Sequence, residues 1–233
     1  MSHNALIERF FETLISGDRP SARTLVAETL DQGATPQTLI TDLFWPTNEL
    51  IDRLFRADQL TILSHHLATR LLRVLVDQAA ARFEACSEPS RSVFAVCGQD
   101  QENELAAQMA VDLIEASGMS VTFAGGGIPA DEILQQVHSH RPDVLLMFAS
   151  SPTDLPHIRR LVDTLGEIGA HRAVQIVVGG GVFNRADGLA EEIGADLWAS
   201  DPLELVEMIT GEPERRADAD QRTVGRRHRT NAA

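Results

Sequence analysis

The stretch VFAVCGQDQENE, Val93 to Glu104, decides how this chain is read. It opens as an apolar, partly β-branched run and breaks at Gly98. A helix-like segment then extends from about Asp100 to Ser117. A strand that turns through glycine into a helix is the repeating joint of open α/β folds, whose ligands sit beyond the carboxyl ends of parallel strands. Four more short runs share this character: Ser120–Ala124, Asp143–Phe148, Val174–Val178 and Asp196–Ala199, with amphipathic segments of helix length between them. That alternation predicts right-handed βαβ crossovers and a parallel sheet covered on both faces. Five strands suit the flavodoxin-like order 2-1-3-4-5. Asp201-Pro202 starts a last helix that ends near Gly211.

Upstream of residue 88 the apolar spacing is helical throughout. Leu6, Phe10, Phe11 and Leu14 form one stripe, closed by Gly17-Asp18. A second helix covers Pro20 to Gln32, and a third runs from Thr35-Pro36 toward Ala57, with Pro46 as its expected kink. A fourth spans about Gln59 to Ala85, with Leu60, Leu63, Leu67, Leu71 and Val74 on one face. The fold class is therefore α/β: an N-terminal four-helix bundle over residues 1–87, then a flavodoxin-like five-stranded parallel-sheet domain over 91–211. Residues 212–233 lack apolar periodicity and read as a disordered tail.

Composition excludes several functions. Of the net charge of −14, the last 21 residues hold a local +3 from six Arg against three acids, which leaves −17 on the body. Such a body repels phosphate backbones and anionic lipid, so neither nucleic acid nor membrane is an expected partner. Two cysteines, Cys86 and Cys97, are too few for a disulfide framework or a zinc knuckle. With no apolar leader and no membrane-length apolar run, the expected location is cytoplasmic.

Several residues could carry chemistry, and each has an ordinary explanation beside it. Gly125-Gly126-Gly127 and Gly179-Gly180-Gly181 each follow a strand, where backbone amides could receive phosphate, although tight turns use glycine anyway. With Ser150 and Ser151 they mark one edge of the sheet as a crevice. Asp100, Glu102 and Glu104 suit the first turn of a helix better than a catalytic pair. Cys97 reads as a buried thiol, and Trp45 beside Pro46 as packing. His138 and His140 lie two apart and do not share a helix face. No nucleophile–base set, P-loop or GxGxxG is present.

These residues carry a resemblance. A small helical bundle before a five-stranded α/β domain resembles the cobalamin-binding modules of corrinoid proteins, methionine synthase and light-sensing B12-dependent repressors. Ile15-Ser16-Gly17-Asp18 resembles the family's bundle opening. The segment from Leu54-Phe55 to Ser64-His65-His66 resembles the part that caps the upper face of the corrin. Val121 to Pro129 resembles the family's strand and turn after the first crossover, and Ala149-Ser150-Ser151 and Val178-Gly179-Gly180-Gly181 resemble the turns beside the buried nucleotide tail. The resemblance implies cofactor contacts from Phe55, His65, His66, Gln99, Gln101, Gly125, Gly126, Ser150, Ser151, Gly179, Gly180 and Gly181, with His66 as the candidate metal ligand.

The departure lies in the family's Asp/Glu-x-His-x-x-Gly signature, which falls on Gln99 to Glu104. Gln101 stands where the cobalt-ligating histidine belongs, Gln99 where its carboxylate partner belongs, and Glu104 where the glycine belongs. Amide oxygen is a harder ligand than imidazole and is not tuned by a carboxylate partner. The expected cofactor is thus cobalamin, base-on, carrying its own lower base; haem is the alternative. The first functional reading is a cobalamin-binding sensor or regulatory module, not an enzyme by itself, that acts through a protein partner. The light-sensing repressors carry a DNA-reading domain before the bundle, where this chain begins. The alternatives are a module binding haem or no cofactor, and a corrinoid carrier for a methyltransferase. Against the carrier counts the missing histidine, because methyl transfer takes cobalt through a highly reduced state. The partner stays unidentified, and self-association into a homo-oligomer stays open.

Overall fold

The computed structural model describes residues 3–83, 90–98, 104–170, 173–218 and 221–222. The chain divides into two compact units, Met1–Ser87 and Glu88–Ala233. The first is helical: α1 (His3–Ser16), α2 (Arg19–Asp31), α3 (Pro36–Thr38), α4 (Trp45–Arg56) and α5 (Ile62–Ala80). Asp18, Thr35 and Thr61 cap α2, α3 and α5 through side-chain oxygens that accept from Ser21, Thr38 and Ser64 N–H groups. Between α3 and α4 the chain continues as a π-helix, Leu39–Phe44. Pro46 has no N–H for the preceding turn and its ring crowds that turn's carbonyls. The helix therefore widens ahead of it, and the Trp45 N–H bonds back five residues to the Ile40 carbonyl. The expected kink is thus a local underwinding, and α3, the π-turn and α4 act as one rod of a four-rod bundle.

The bundle core is built on Phe10 and Phe44, stacked with ring centroids 5.6 Å apart, together with Leu14, Leu25, Ile51 and Leu72. Along α5 the buried face is His65, Ala68, Leu71, Leu72, Leu75, Val76 and Ala79. The stripe expected from sequence is partly displaced: Leu63 is 69% exposed and Leu67 37%. Two adjacent apolar stripes on one helix have nearly the same period, and packing partners choose between them.

The second unit is a parallel five-stranded sheet of order β2-β1-β3-β4-β5, as the alternation of runs predicts. Its strands are β1 (Ser92–Cys97), β2 (Ser120–Phe123), β3 (Val144–Phe148), β4 (Gln175–Gly179) and β5 (Leu197–Trp198). The helices are α6 (Glu104–Ala116), α7 (Ala130–His140), α8 (Leu155–Glu167), α9 (Gly181–Asn184), α10 (Leu189–Ile193) and α11 (Pro202–Gly211). Strand alternation splits the core in two. Val93, Ala95 and Cys97 pack with Ala107, Val111 and Ile114 of α6 and Leu205 and Ile209 of α11. Phe94 and Val96 face the other way, toward Ile133 of α7, Ile158, Leu161 and Leu165 of α8, and Ile193 of α10. Burial on both faces explains why these strands read as continuous apolar runs.

Of the segment read as a tail, residues 212–218 and 221–222 are described, and they are hydrogen-bonded along the amino end of the sheet. Buried Gln175 donates to the Glu212 and Arg215 carbonyls, and Arg91 donates to the Ile209 carbonyl and the Gln175 amide oxygen. Asp196 accepts from Ile176 N–H at 2.7 Å and from Ala217 N–H at 2.6 Å, tying Ala217 to β4. Arg222 pairs with Asp163 at 2.5 Å and donates to the Ile193 carbonyl. These described residues are held by specific polar groups, which a hydrophobicity count does not register.

Two predictions follow from this edge. Asp196→Ala removes the acceptor of two N–H groups and lowers stability by about 2 kcal/mol. The urea transition reported by Trp198 fluorescence in a Trp45→Phe background shows this as a lower midpoint; an unchanged midpoint contradicts it. Burial pushes the Asp143 carboxyl upward, but bonds from Ser92 N–H and Oγ and the Arg91 charge outweigh it and hold it below the usual range. Its stabilising contribution is complete above the ordinary carboxylate range and is lost as pH falls through the depressed value. Asp143→Asn therefore flattens the acid limb of the stability curve below about pH 4.

Candidate cofactor site

The strand order reverses between β1 and β3, so the chain leaves their carboxyl ends toward opposite faces and opens a crevice there. The ladder persists past the strands into the turns. Gly98 N–H donates to Phe148 O at 2.9 Å, Cys97 N–H to Gly125 O at 2.8 Å, and Ala149 N–H to Gly179 O at 2.9 Å. These bonds bring the Gly125–Gly126, Ser150–Ser151 and Gly179–Gly181 turns onto one edge, where the sequence predicts a crevice. Gln99 and Gln101 lie outside the described residues.

The glycines have visible reasons to be glycine. Gly180 adopts φ 105°, ψ 163°, a region closed to other residues, and a side chain there would strike the Ala149 carbonyl. A Cβ on Gly126 would lie 2.7 Å from the Gly98 carbonyl oxygen. At Gly179 it would meet the Phe148 ring at 3.3 Å, and at Gly181 the Arg185 guanidinium at 2.8 Å. Close approach of backbone thus demands glycine at 126 and 180, whereas at 179 and 181 the neighbour is a side chain that can shift. Ser151 caps the turn into α8: its Oγ accepts from Thr153 N–H at 3.3 Å and lies 2.7 Å from Thr153 Oγ1.

Three residues shape the edge, two of which, Asp154 and Arg185, sequence reasoning did not single out. Glu104, in the first turn of α6, accepts from Gly126 N–H through Oε1 at 3.0 Å. Asp154 is 2% exposed and lies against Gly98, where a side chain would run into its carboxylate. Arg185 donates from Nη2 to the Ser150 carbonyl at 2.5 Å. Glu104 was visible as a departure from the family pattern. Asp154 and Arg185 lie outside every motif and only folding brings them here. Where the carboxyl ends of β1 and β3 meet α7 and α8, a cavity of about 60 Å³ is lined by Val96, Gly98, Ile133, Met147, Asp154 and His157 among others.

In the bundle unit, Phe55 and His65 stack with centroids 3.9 Å apart and planes 15° apart. His65 is 5% exposed, so it packs inward. His66 is exposed, its ring 6.0 Å from that of His65. The two adjacent histidines thus play different parts: one is packing, the other presents its imidazole. Among the described residues, no group of three or more His, Cys, Asp or Glu side chains is placed to hold a metal ion.

Residues 91–207 match a family model described as the B12 binding domain, and residues 6–79 match a second model of the same description. The chain belongs to the B12-binding domain family. Cobalamin is accordingly its cofactor, which decides between the two tetrapyrroles expected from sequence. The dimethylamine corrinoid proteins 1 of Methanosarcina acetivorans and 3 of Methanosarcina mazei are each 27% identical to it over 94 residues, 40% of this chain. The match spans only 43% and 55% of those relatives. The monomethylamine corrinoid protein of Methanosarcina barkeri has the same fold, with a TM-score of 0.75 at 15% identity over 90% of this chain and 99% of that one. A chain of the methanol:cobalamin methyltransferase complex of the same organism gives 0.50 at 16% identity, over 93% and 83%. No helix among the described residues is long and apolar enough to cross a membrane.

The edge fits this family's cofactor in part. Turns of glycine and serine at the carboxyl ends of β2, β3 and β4 suit a ring laid against backbone. Asp154 lies over Gly98, so a nucleotide phosphate placed there would approach a carboxylate. Gly180→Ala is expected to cost at least about 2 kcal/mol through its backbone conformation and the Ala149 clash. Gly127→Ala, at φ 73° with open space around it, should cost about 1 kcal/mol. Paired urea titrations check the order, and equal losses would contradict the cradle described here.

Proposed function

We propose that this chain is a corrinoid carrier protein, a cobalamin-holding subunit that presents its cofactor to a methyltransferase and does no chemistry without that partner. The observation that carries this reading is the pairing of two B12-binding matches, 6–79 and 91–207, with likeness to dimethylamine corrinoid proteins. The sensor ranked first from sequence draws no comparable support from these relatives.

Bound cobalamin would supply a cobalt centre able to accept and release a methyl group. The chain's own contribution is to bind and orient. The Gly125–Gly126, Ser150–Ser151 and Gly179–Gly181 turns offer backbone for the ring to rest against, and the exposed His66 is the candidate imidazole of the bundle. Gln101 in place of a ligating histidine argues for a cofactor that keeps its own lower base. That same substitution favours a second reading, a regulatory cobalamin binder that reports cofactor state without cycling it.

Hydroxocobalamin added to the purified protein should be retained at one equivalent on gel filtration, and His66→Ala should alter its absorption spectrum. The carrier is separated from the regulator by reducing the loaded protein with titanium(III) citrate and adding radiolabelled methyl iodide. Retained label supports the carrier; retained cofactor without label supports the regulator.

A further inference from the structure

The α/β unit holds a second concavity, away from the carboxyl edge. It lies at the amino ends of β3 and β4, where the last turns of α7 and α8 converge, and its volume is about 550 Å³. That falls within the roughly 300–1,000 Å³ of small-molecule pockets. Leu134 and Val137 of α7, Leu165 and Ile168 at the end of α8, and Val174 ahead of β4 form apolar walls. Ile168 is 62% exposed there. Of the described lining side chains only His138 and Arg141 are polar, and none is acidic. In a chain of net charge −14 this is a cationic spot in an apolar setting.

Arg141 is held in an unusual way. Its φ of 46° and ψ of 57° are left-handed, at the residue that ends α7, where glycine is the usual choice. Asp58, the other described non-glycine residue with positive φ, is of a type that tolerates it; arginine is not. Among the described residues the Arg141 guanidinium has neither a hydrogen bond nor an ion pair. Asp143, two residues on, is already bonded to Ser92 N–H and Oγ. The chain thus accepts backbone strain to keep a guanidinium that braces nothing else, with its five donors available.

The carboxyl ends of α7 and α8 by themselves disfavour an anion here. Each acts as about half a charge spread over its last turn, whereas the guanidinium carries a full charge and can touch a carboxylate through two parallel N–H groups. Contact therefore outweighs the helix ends. We propose that this cavity binds an amphipathic carboxylate, a medium-chain fatty acid in chemical class, with its chain against the apolar walls and its head on Arg141. The cavity stands at the opposite end of the sheet from the glycine and serine turns, so this ligand is separate from any corrinoid.

Isothermal titration calorimetry of the full chain with octanoate, decanoate and 1-octanol tests it in wild type, R141G and I168D. Decanoate should bind tighter than octanoate by about fourfold per added methylene, the equivalent of about 0.8 kcal/mol for each buried CH₂. Octanoate should bind about tenfold tighter than its uncharged twin octanol. R141G should weaken octanoate about tenfold and leave octanol within about twofold. Its urea midpoint should not fall, because glycine suits the left-handed turn. I168D, at an exposed position, should weaken both ligands. Equal affinity for octanoate and octanol, or octanoate binding untouched in R141G, would overturn the proposal and leave Arg141 as the charge that balances two helix ends. Binding unaffected by I168D would place the ligand elsewhere and overturn it too, as would no binding of either carboxylate at millimolar concentration.

Discussion

The handedness of the crossovers is the constraint on which the rest of the α/β unit depends. Right-handed connections send α6 to one face of the sheet and α7 and α8 to the other, so the turns after β1 and β3 diverge. Because those strands are neighbours, their divergence opens the sheet's edge at one point. The ladder bonds that continue into the turns, Gly98 to Phe148 and Ala149 to Gly179, keep the edge rigid on either side of that point. Glycines at 126 and 180 follow from how closely those turns approach.

At this edge the chain keeps the frame of a B12-binding domain and alters its centre. Asp154 fills the space over Gly98, and Glu104 occupies the Gly126 amide. Both are carboxylates, and Arg185 reaches the same edge through the Ser150 carbonyl.

The bundle illustrates how much a periodic pattern conveys. Four helical rods were legible because caps at Asp18, Thr35 and Thr61 and prolines near helix starts are local chemistry. The face that α5 buries was less legible, since Leu63 and Leu67 satisfy the same spacing as the core residues yet remain exposed. His65 and His66, indistinguishable as a dipeptide, separate once Phe55 stacks on the first. The segment after Gly211 shows the opposite limit: without apolar periodicity it reads as disorder, yet Asp196, Gln175 and Asp163 give its described residues defined acceptors and donors.

From the sequence by itself came the two-part architecture, the strand count and order, the glycine and serine turns and the missing histidine. Each is written in nearest-neighbour chemistry: a period of two or 3.6, a cap, or a turn that only glycine can make. Tertiary structure alone decided which α5 face is buried, that Asp154 is buried over Gly98, and that Arg185 reaches the turns after both β3 and β4. Those outcomes depend on groups far apart in the chain, whose positions are set by sheet order and packing, and no local pattern encodes them.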